Sequence, residues 1–264
     1  MRSTRLNLRE PLVAPLMAHK MAAKERYYEL LRSQMDTVRR TQWEKIDLAA
    51  QWLGSALANE GWLYAFGTGH SHALAEEVFY RAGNLARATP ILDSRLMLHE
   101  NAIEATYHER EEGYGIRLLQ SYPVKSGDVL IVASNSGRNA VPIDLAHEGR
   151  NIGMRVIAIT NLAHSRAWPA RHSGGTNLAE VAELTIDNCG VEGDACLEVA
   201  GLPGKIGPTS TSTGALIVNA IIVQGIEYAL RVGKPPEIYI SSNTAGDEHN
   251  DVLLRKYKSR VKHL

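Results

Sequence analysis

The sequence predicts an α/β protein with a doubly wound, five-stranded parallel sheet in the order 2-1-3-4-5, flanked by helices and preceded by an N-terminal helical extension. Two observations carry this prediction. Short apolar runs without polar alternation, such as VLIVA at residues 129–133, indicate strands that are buried on both faces. These runs alternate with amphipathic helical patterns, as expected when helices connect parallel strands.

The composition is that of a globular protein, and it restricts the possible partners. The 264 residues include 29 Lys+Arg and 29 Asp+Glu, so no broad basic surface for nucleic acid is expected. The two cysteines, Cys189 and Cys196, argue against a disulfide scaffold and favour a cytoplasmic location. The first twenty residues lack the apolar core of a signal peptide, and the apolar segment 214–223 is too short to span a membrane. We therefore expect neither nucleic acid nor a membrane as partner.

The first sixty residues divide into two predicted parts. Residues 1–20 mix Arg, Pro and Leu without periodicity, and we interpret them as a mobile arm. Residues 21–60 carry two helical apolar stripes, one with Tyr27 and Leu30 and one from Ile46 to Leu57. Helices of this kind commonly cover a core or form a dimer interface.

The predicted sheet lies in a domain at residues 61–233. Its strands are predicted, in chain order, at residues 62–66, 86–92, 129–133, 155–160 and 184–187. Four helical segments are predicted. One follows the first strand, with Leu74, Val78, Ala82 and Leu85 on one face, and another follows the third strand. The other two run from Asp93 to Gln120 and from Thr209 to Val232. Segments 163–177 and 188–208 have no periodicity and are predicted to be irregular. A tail at residues 234–264 follows, with contact to a neighbouring subunit as one option.

Two polar loops follow the first and third predicted strands. They read GTGHS and SNSGRN, and in the predicted order both strands border the point where ligands bind at the carboxyl ends. Backbone N–H groups, hydroxyls and a helix N-terminus suit an anion, and phosphate is the obvious candidate. The alternative is a pair of ordinary turns, in which Ser, Asn and Gly are common. A dinucleotide site is excluded because the third glycine position is His72.

The two loops together resemble the sugar isomerase (SIS) domain, whose members bind phosphosugars with the serines of these loops. Further segments carry the resemblance from about Met21 to the C-terminus: GHSHALAEEVFYRAG, LMLHENA, DNCGVEGDACLEV, GLPGKIGPTSTSTGA and GDEHN. They look like the stand-alone branch described as phosphosugar-binding or phosphoheptose-isomerase-like. The resemblance implies a sugar phosphate as ligand and a site formed between subunits.

The resemblance also implies which residues contact the ligand. The phosphate would be bound by Ser71 of the first loop and by Ser134, Asn135, Ser136 and Asn139 of the second. The sugar would be contacted by Gly69 and by the hydroxyl-rich start of the last helix, which comprises Thr209, Ser210, Thr211 and Ser212. Asn139 departs from the family, which often has Thr there, although an amide can still donate a hydrogen bond.

Isomerisation of a sugar phosphate needs a base that moves a proton beside the carbonyl and an acid that opens the ring. Glu77 is the predicted base because it follows Ser71 by less than two turns of the same helix, with Arg81 placed to orient it. An ordinary surface ion pair is the alternative. For ring opening the candidates are His70, Glu100 and His249.

Phosphoheptose isomerases carry a glutamate late in the helix after the first loop and a histidine in the last helix. Here the glutamate position falls at Tyr80 or Arg81, and the last helix contains no histidine. Three functions therefore stay open: a sugar phosphate isomerase, a phosphosugar sensor without chemistry, and an amino-sugar-phosphate etherase or deaminase. No cofactor or metal is predicted, because the His and Glu spacing matches neither HExxH nor a Cys-based site.

The last predicted helix also bears on assembly. Its segment 214–223 is apolar around nearly the whole circumference, which is more than one sheet face can cover. We therefore predict a homodimer or homotetramer held by the N-terminal helices and the last helix.

Overall fold

The computed structural model describes residues 21–264, so the predicted arm at residues 1–20 lies outside the described part of the chain. The central sheet consists of β1 Leu63–Gly67, β2 Ala88–Ile91, β3 Val129–Ala133, β4 Arg155–Thr160 and β5 Leu184–Asp187. All neighbouring pairs are parallel and the order is β2-β1-β3-β4-β5. This confirms the predicted fold class and strand order. We call the side on which the five strands end the carboxyl edge, and the opposite side the amino edge.

Helices cover both faces of the sheet. They are α1 Ala23–Ala58, α2 His72–Glu77, α3 Leu98–His108, α4 Tyr114–Gln120, α5 Ala140–Ile152, α6 Leu162–Ala167, α7 Leu178–Val181, α8 Ser210–Arg231 and α9 Asp247–Tyr257. Successive side chains of a strand point to opposite faces. In β1, Leu63 and Ala65 therefore pack with α1, α2 and α8, whereas Tyr64 and Phe66 pack with α4, α5, α7 and α9. The result is a three-layer arrangement with a core on each side.

The long helices α1 and α8 pack together on one face. Helix α1 is continuous over 36 residues, in agreement with the helical pattern predicted for this segment. By length and composition alone α8 is apolar enough to cross a membrane, with a mean hydropathy of 1.5. Ile217, Val218 and Ile221 of α8 are fully buried against the sheet and α1. This burial is typical of the core helix of a globular domain.

The helix after β1 is shorter than the sequence predicts. It ends at Glu77, and Tyr80 adopts a left-handed conformation with φ 43° that stops it. The chain from Gly83 to Ala86 instead pairs with residues 237–239 through backbone hydrogen bonds of 2.8–2.9 Å. Leu85 is buried from this loop, so its agreement with the helical period was misleading.

Two segments predicted to be irregular contain regular structure. Residues 162–167 form α6, and residues 188–208 contain a small antiparallel sheet of β6 Ala195–Leu197 and β7 Ile206–Pro208. These strands have only 3 residues each, too few for an alternating pattern to show in the sequence.

The C-terminal segment packs on its own chain. Leu253, Tyr257 and Val261 are buried in the core that covers Tyr64 and Phe66. The division into domains and the reach of the tail to a neighbouring subunit remain predictions.

Candidate active site

The loop between β3 and α5, residues 134–139, has the compact geometry expected of an anion-binding turn. Ser134 is buried, and its Oγ accepts a hydrogen bond from the Gly137 N–H at 3.1 Å. Gly137 has φ +63°, and a Cβ there would lie 3.0 Å from the Thr160 Oγ1. Glycine is therefore required by both conformation and space. Ser136 is half-buried, and its hydroxyl makes no hydrogen bond within residues 21–264.

The loop after β1 approaches the same place. Thr68 and Gly69 lead into a 3-10 turn at Gly69–Ser71, from which α2 begins. A Cβ on Gly67 would overlap the backbone carbonyl of Ser71, so the loop folds back tightly on the strand end. Since β1 and β3 are neighbours, Ser71 and Ser134 lie at the same part of the carboxyl edge.

The two loops and the start of α8 enclose one small cavity, which we call the serine cavity. It is lined by Ser71, Leu74, Ala133, Ser134, Asn135, Ile159, Asn188, Ser210 and Thr211. Its volume is about 10 Å³, roughly the room for one water molecule. The structure thus brings together five of the residues predicted to bind the ligand. A sugar phosphate enters this space only if the loops and the start of α8 separate.

The start of α8 is capped by Asp194, a residue not predicted as part of the site. Its carboxylate accepts hydrogen bonds from the backbone N–H groups of Thr209 and Ser210, at 3.0 and 2.9 Å, and from the Ser210 hydroxyl at 2.7 Å. An acidic group is favoured at a helix N-terminus by the helix dipole. Of the other predicted sugar contacts, Thr209 is buried, Ser212 is half-buried and Thr211 is exposed.

Amide side chains form the floor of the serine cavity. The Asn188 Nδ2 donates to the Asn135 Oδ1 at 2.8 Å, and the Gln34 Nε2 of α1 donates to the Asn188 carbonyl at 2.8 Å. Asn188 follows β5 directly, so its side chain lies at the carboxyl edge. Sequence reasoning missed it, although an Asn immediately after a predicted strand is a signal that could have identified it.

A second missed residue, Glu109, joins the two loops. Its carboxylate accepts hydrogen bonds from the Thr68 Oγ1 at 2.8 Å and from the Asn139 Nδ2 at 2.6 Å. Burial raises the pKa of Glu109, whereas the Thr68 hydrogen bond and the nearby Arg110 and Arg171 lower it; burial is the larger effect. No local pattern selects Glu109 among the several acidic and histidine residues of this segment.

Asn139 is held firmly in this arrangement. Besides donating to Glu109, it accepts a hydrogen bond from the Arg171 Nη1 at 3.1 Å through its Oδ1. Its side chain therefore holds neighbouring groups in place, and the backbone at the start of α5 is left to face a ligand. Its role as a direct phosphate contact remains a prediction.

Glu77, the predicted base, lies one helical turn beyond Leu74 and does not line the serine cavity. One carboxylate oxygen accepts from the Asn219 Nδ2 at 2.8 Å, and the other forms the expected ion pair with Arg81 at 2.8 Å. Both oxygens are thus occupied, as are those of Glu109, but by partners outside the two loops.

The three candidates for ring opening are spread over the molecule. His70 is exposed beside Ser71. Glu100 is exposed at the start of α3, with an oxygen 3.6 Å from the His99 Nε2. The His249 Nε2–H donates to the Ile238 carbonyl at 2.9 Å, and Ile238 pairs with Leu85 before β2. Within one chain, His249 therefore lies near the amino edge, away from the serine cavity.

Within residues 21–264, no group of three or more His, Cys, Asp and Glu side chains is arranged to hold a metal ion. The expectation that the protein uses no metal or cofactor remains a prediction.

Comparison with known proteins identifies the family. The family model of the SIS domain matches residues 26–161. A UPF0309 protein of Listeria innocua is 43% identical over 210 residues, which cover 79% of this chain and 85% of that relative. A UPF0309 protein of a Geobacillus species is 40% identical over 238 residues, covering 90% and 96%. This chain is a SIS-domain protein of the UPF0309 family.

Solved structures agree with this family at the level of fold. A phosphoheptose isomerase from Francisella tularensis superposes with a TM-score of 0.50 at 16% identity, covering 78% of this chain and 100% of that one. The NanR protein of Vibrio vulnificus, solved with ManNAc-6P, also has a TM-score of 0.50, at 14% identity over 92% of this chain and 73% of that one. The SIS fold is therefore shared by an isomerase and by a protein that binds a phosphosugar.

Proposed function

We propose that this protein binds a phosphorylated sugar in the serine cavity and interconverts its aldose and ketose forms. The observation that carries this proposal is the convergence of Ser71, Ser134, Asn135 and the hydroxyls at the start of α8 on one cavity at the carboxyl edge. Membership of the SIS family and the phosphosugar bound by NanR support the ligand class. The phosphoheptose isomerase of the same fold supports the reaction class.

The phosphate is assigned to the two loops. Ser71 and Ser136 would donate their hydroxyls, and the first N–H groups of α5 would point at the phosphate oxygens. Ser134 already accepts from Gly137 and would donate its own proton to the ligand. Gly69 and the segment from Thr209 to Ser212 would contact the sugar hydroxyls.

Glu109 is better placed than Glu77 to act as the base. It contacts both loops through Thr68 and Asn139, and burial raises its pKa, which makes a carboxylate a more effective proton acceptor near neutral pH. Glu77 is instead held by Asn219 and Arg81. In the proposed step, the Glu109 carboxylate takes the proton from C2 of the aldose and returns it to C1 of the enediolate, while the hydroxyl proton on O2 passes to O1, so that no net proton is consumed.

Ring opening requires a second group that transfers a proton to the ring oxygen. His70 is the first candidate because it lies beside Ser71 and is free of hydrogen bonds within residues 21–264. Glu100 is near the same loop, since the neighbouring His99 ring lies 6.1 Å from the His72 ring. His249 would act only on the site of another copy of the chain.

We propose that the protein acts as a homodimer or homotetramer in the cytoplasm. An apolar groove of about 460 Å³ runs between α1 and α8 and is lined by Trp43, Ile46, Leu216, Val223 and further residues of these two helices. Val223 is 67% exposed and Trp43 is 46% exposed, more than a free surface usually leaves uncovered. Sedimentation should give a dimer or larger species that Val223→Asp shifts towards the monomer. A wild-type monomer at micromolar concentration would contradict this assembly.

Binding without chemistry is the second candidate function. The last long helix, α8, contains no histidine, unlike the last helix expected of a phosphoheptose isomerase. NanR shares the fold and was solved with a phosphosugar. In a sensor, the same cavity would open and close around the ligand while no proton left the sugar.

One experiment separates the two functions. Sugar phosphates are first screened for stabilisation against heat, and each one that binds is incubated with the protein in deuterated water. An isomerase exchanges the proton beside the carbonyl, which NMR detects as loss of that signal. Binding without exchange would support the sensor, and stabilisation by none of the sugar phosphates would contradict the proposed ligand class.

A further inference from the structure

A second cavity lies on the other side of the loop at residues 134–139, and we call it the arginine cavity. It has a volume of about 730 Å³ and is lined by Arg138, His164, Trp168, Arg171, Glu192, Gly193 and Lys205. None of these residues lines the serine cavity. The volume is in the range of pockets that hold a small metabolite.

Arg138 is held with much of its guanidinium group available. Its Nε donates to the Pro169 carbonyl at 2.7 Å, and its backbone carbonyl accepts from the Arg171 N–H at 2.8 Å. The two terminal nitrogens, Nη1 and Nη2, make no hydrogen bond within residues 21–264. A fork of free N–H donors on a fixed side chain is the geometry that binds a carboxylate or a phosphate at two points.

Lys205 lies 3.8 Å from the Glu198 carboxylate, whereas the two arginines of this cavity have no such partner among the described residues. Within residues 21–264, no carboxylate lies within 4.0 Å of the guanidinium nitrogens of Arg138 or Arg171, and Glu192 is hydrogen-bonded to the Trp168 Nε1 at 2.7 Å. Burial lowers the pKa of Arg138, and the charges of Arg171 and Arg110 lower it further. Arg138 and Arg171 therefore repel one another, and an anion bound between them would reduce this repulsion.

Two further groups suit an organic ligand. The Gly193 N–H donates to the His164 Nδ1 at 3.2 Å, which places the remaining ring proton on Nε2, where it is available as a donor. Trp168 is 51% exposed, and the Arg138 guanidinium carbon lies 5.8 Å from its ring centroid. An exposed indole beside a cation provides a flat apolar surface at the rim of a charged pocket.

We propose that the arginine cavity binds a second anionic group of the substrate, so that the preferred ligand is a sugar phosphate that also carries a carboxylate or a second phosphate. This proposal rests on the proposed function, because it takes the first phosphate to be bound by the loop at residues 134–139.

The geometry allows one molecule to occupy both places. Ser136 and Arg138 are two residues apart, so their Cα atoms are separated by no more than about 7 Å. Ser134 of this loop lines the serine cavity, and Arg138 of the same loop lines the arginine cavity. A hexose phosphate has a comparable length, so its second acidic group reaches the arginine cavity while its phosphate stays on the serines.

The test compares matched ligands by isothermal titration calorimetry at low salt. Glucose 6-phosphate is paired with 6-phosphogluconate, which adds a carboxylate, and fructose 6-phosphate is paired with fructose 1,6-bisphosphate, which adds a phosphate. We expect the doubly acidic member of at least one pair to bind about tenfold or more tightly. The pair that shows this preference identifies the acidic group that the cavity accepts.

Variants locate the preference. Arg138→Gln, alone and combined with Lys205→Gln, should abolish the advantage of the doubly acidic ligand while the monophosphate keeps its affinity within about twofold. Arg166→Gln is the matched control, because Arg166 is an exposed arginine of α6 outside the arginine cavity and loses the same charge. It should leave both affinities unchanged. The thermal midpoint of each variant checks that it is folded. If Arg138→Gln is not folded, Lys205→Gln alone is used in its place.

Two results would overturn the proposal: equal affinity within both pairs for the wild type, or a preference that survives in the double variant. Failure of every sugar phosphate to bind contradicts the proposed function instead. In that case inorganic pyrophosphate is used as the probe with Ser136→Ala protein. Stabilisation that depends on Arg138 still supports an anion site in the arginine cavity, and its absence contradicts one.

Discussion

The serine cavity and the arginine cavity both include residues of the loop at residues 134–139, and they differ in the groups that they offer. The serine cavity offers hydroxyls, amides and a helix N-terminus, carries no charged side chain in its lining, and has about 10 Å³ of free volume. The arginine cavity offers two arginines without a close carboxylate, together with Lys205, which is paired with Glu198, and is about 730 Å³ in volume. Neutral donors in a closed space discriminate between ligands by shape, whereas cationic side chains in an open space discriminate between ligands by charge. If both cavities bind the ligand as we propose, its shape and its charge would be recognised at separate places.

A chain of hydrogen bonds connects the two sides. Thr68 donates to Glu109, Asn139 donates to the same carboxylate, and Arg171 donates to Asn139. The proposed base, Glu109, is therefore separated from Arg171 of the arginine cavity by one residue of this chain, Asn139. An anion bound by Arg171 would reduce the positive field at Glu109, so occupancy of the second cavity would affect the chemistry in the first.

The largest expected effect comes from Glu109→Gln. If Glu109 is the base, its loss should slow proton exchange into a bound sugar phosphate by about 10²- to 10⁴-fold, the usual contribution of a positioned base. Gln keeps an oxygen to accept from Thr68 or Asn139, so affinity should change much less than the rate. The measurement is the exchange rate by NMR in deuterated water.

Glu77→Gln is the matched control for this prediction. It should reduce the exchange rate much less than Glu109→Gln, because Glu77 is hydrogen-bonded to Asn219 and Arg81, whereas Glu109 is hydrogen-bonded to both loops. A large loss in Glu77→Gln with normal exchange in Glu109→Gln would restore the base predicted from the sequence.

The second largest effect is expected from Gly137→Ala, which alters the loop that both cavities share. An alanine at φ +63° costs about 1–2 kcal/mol, and its Cβ crowds the Thr160 Oγ1 at 3.0 Å. We expect the thermal midpoint to fall by about 2–8 °C and the affinity for mono- and doubly acidic ligands to fall together.

Gly127→Ala provides the comparison for this loop. Gly127 has φ +86°, with no atom within 4 Å of the position that an alanine methyl group would take, and it lies before β3 at the amino edge. It should lower stability by a similar backbone cost and leave affinity unchanged. Equal loss of affinity in both variants would mean that global destabilisation, and not the loop, controls binding.

The strands and loops that form this site were predicted from the sequence better than the side chains that connect them. The strand runs and the two Ser/Gly loops follow from local periodicity and turn chemistry, and they led to the correct sheet order and the place where the loops meet. Ser71 and Ser134 are close because parallel neighbouring strands end at one edge, which is a rule of topology. Such contacts can be inferred from a single sequence.

Glu109, Asn188 and Asp194 were not predicted because each acts through tertiary contacts. Glu109 reaches Asn139 across 30 residues of chain, and no local pattern distinguishes it from the other glutamates of its segment. The end of α2 was misplaced for a related reason, since Leu85 is buried by the pairing of its loop with residues 237–239. Contacts between segments that are distant in the sequence produce no periodic pattern of residues within either segment.

The smallest expected effect concerns pH. Burial raises the pKa of Glu109 above its unfolded value of about 4.3, so the folded protein binds this proton more tightly than the unfolded chain does. The associated stability is present below the unfolded pKa and is lost as the pH rises through the folded pKa. Relative to Glu109→Gln, the wild type should therefore lose stability over this range, as measured by thermal midpoints from pH 4 upwards.

Arg171→Gln sharpens the same prediction. Because Arg171 lowers the pKa of Glu109, its removal should move the decline in stability to higher pH. Arg166→Gln, an exposed arginine outside the arginine cavity, should leave the curve in place. An unchanged curve in Arg171→Gln would contradict the coupling between the two sides of the loop.

The affinity of Ser136→Ala for a sugar phosphate tests the central claim most directly. The Ser136 hydroxyl makes no hydrogen bond within residues 21–264, so its removal leaves the loop intact, whereas Ser134 also accepts from Gly137. Loss of a hydrogen bond to a charged phosphate, worth about 1.5–3 kcal/mol, should weaken binding roughly ten- to hundredfold in calorimetry, with no change in the thermal midpoint of the free protein. Wild-type affinity in Ser136→Ala would contradict the assignment of the phosphate to this loop.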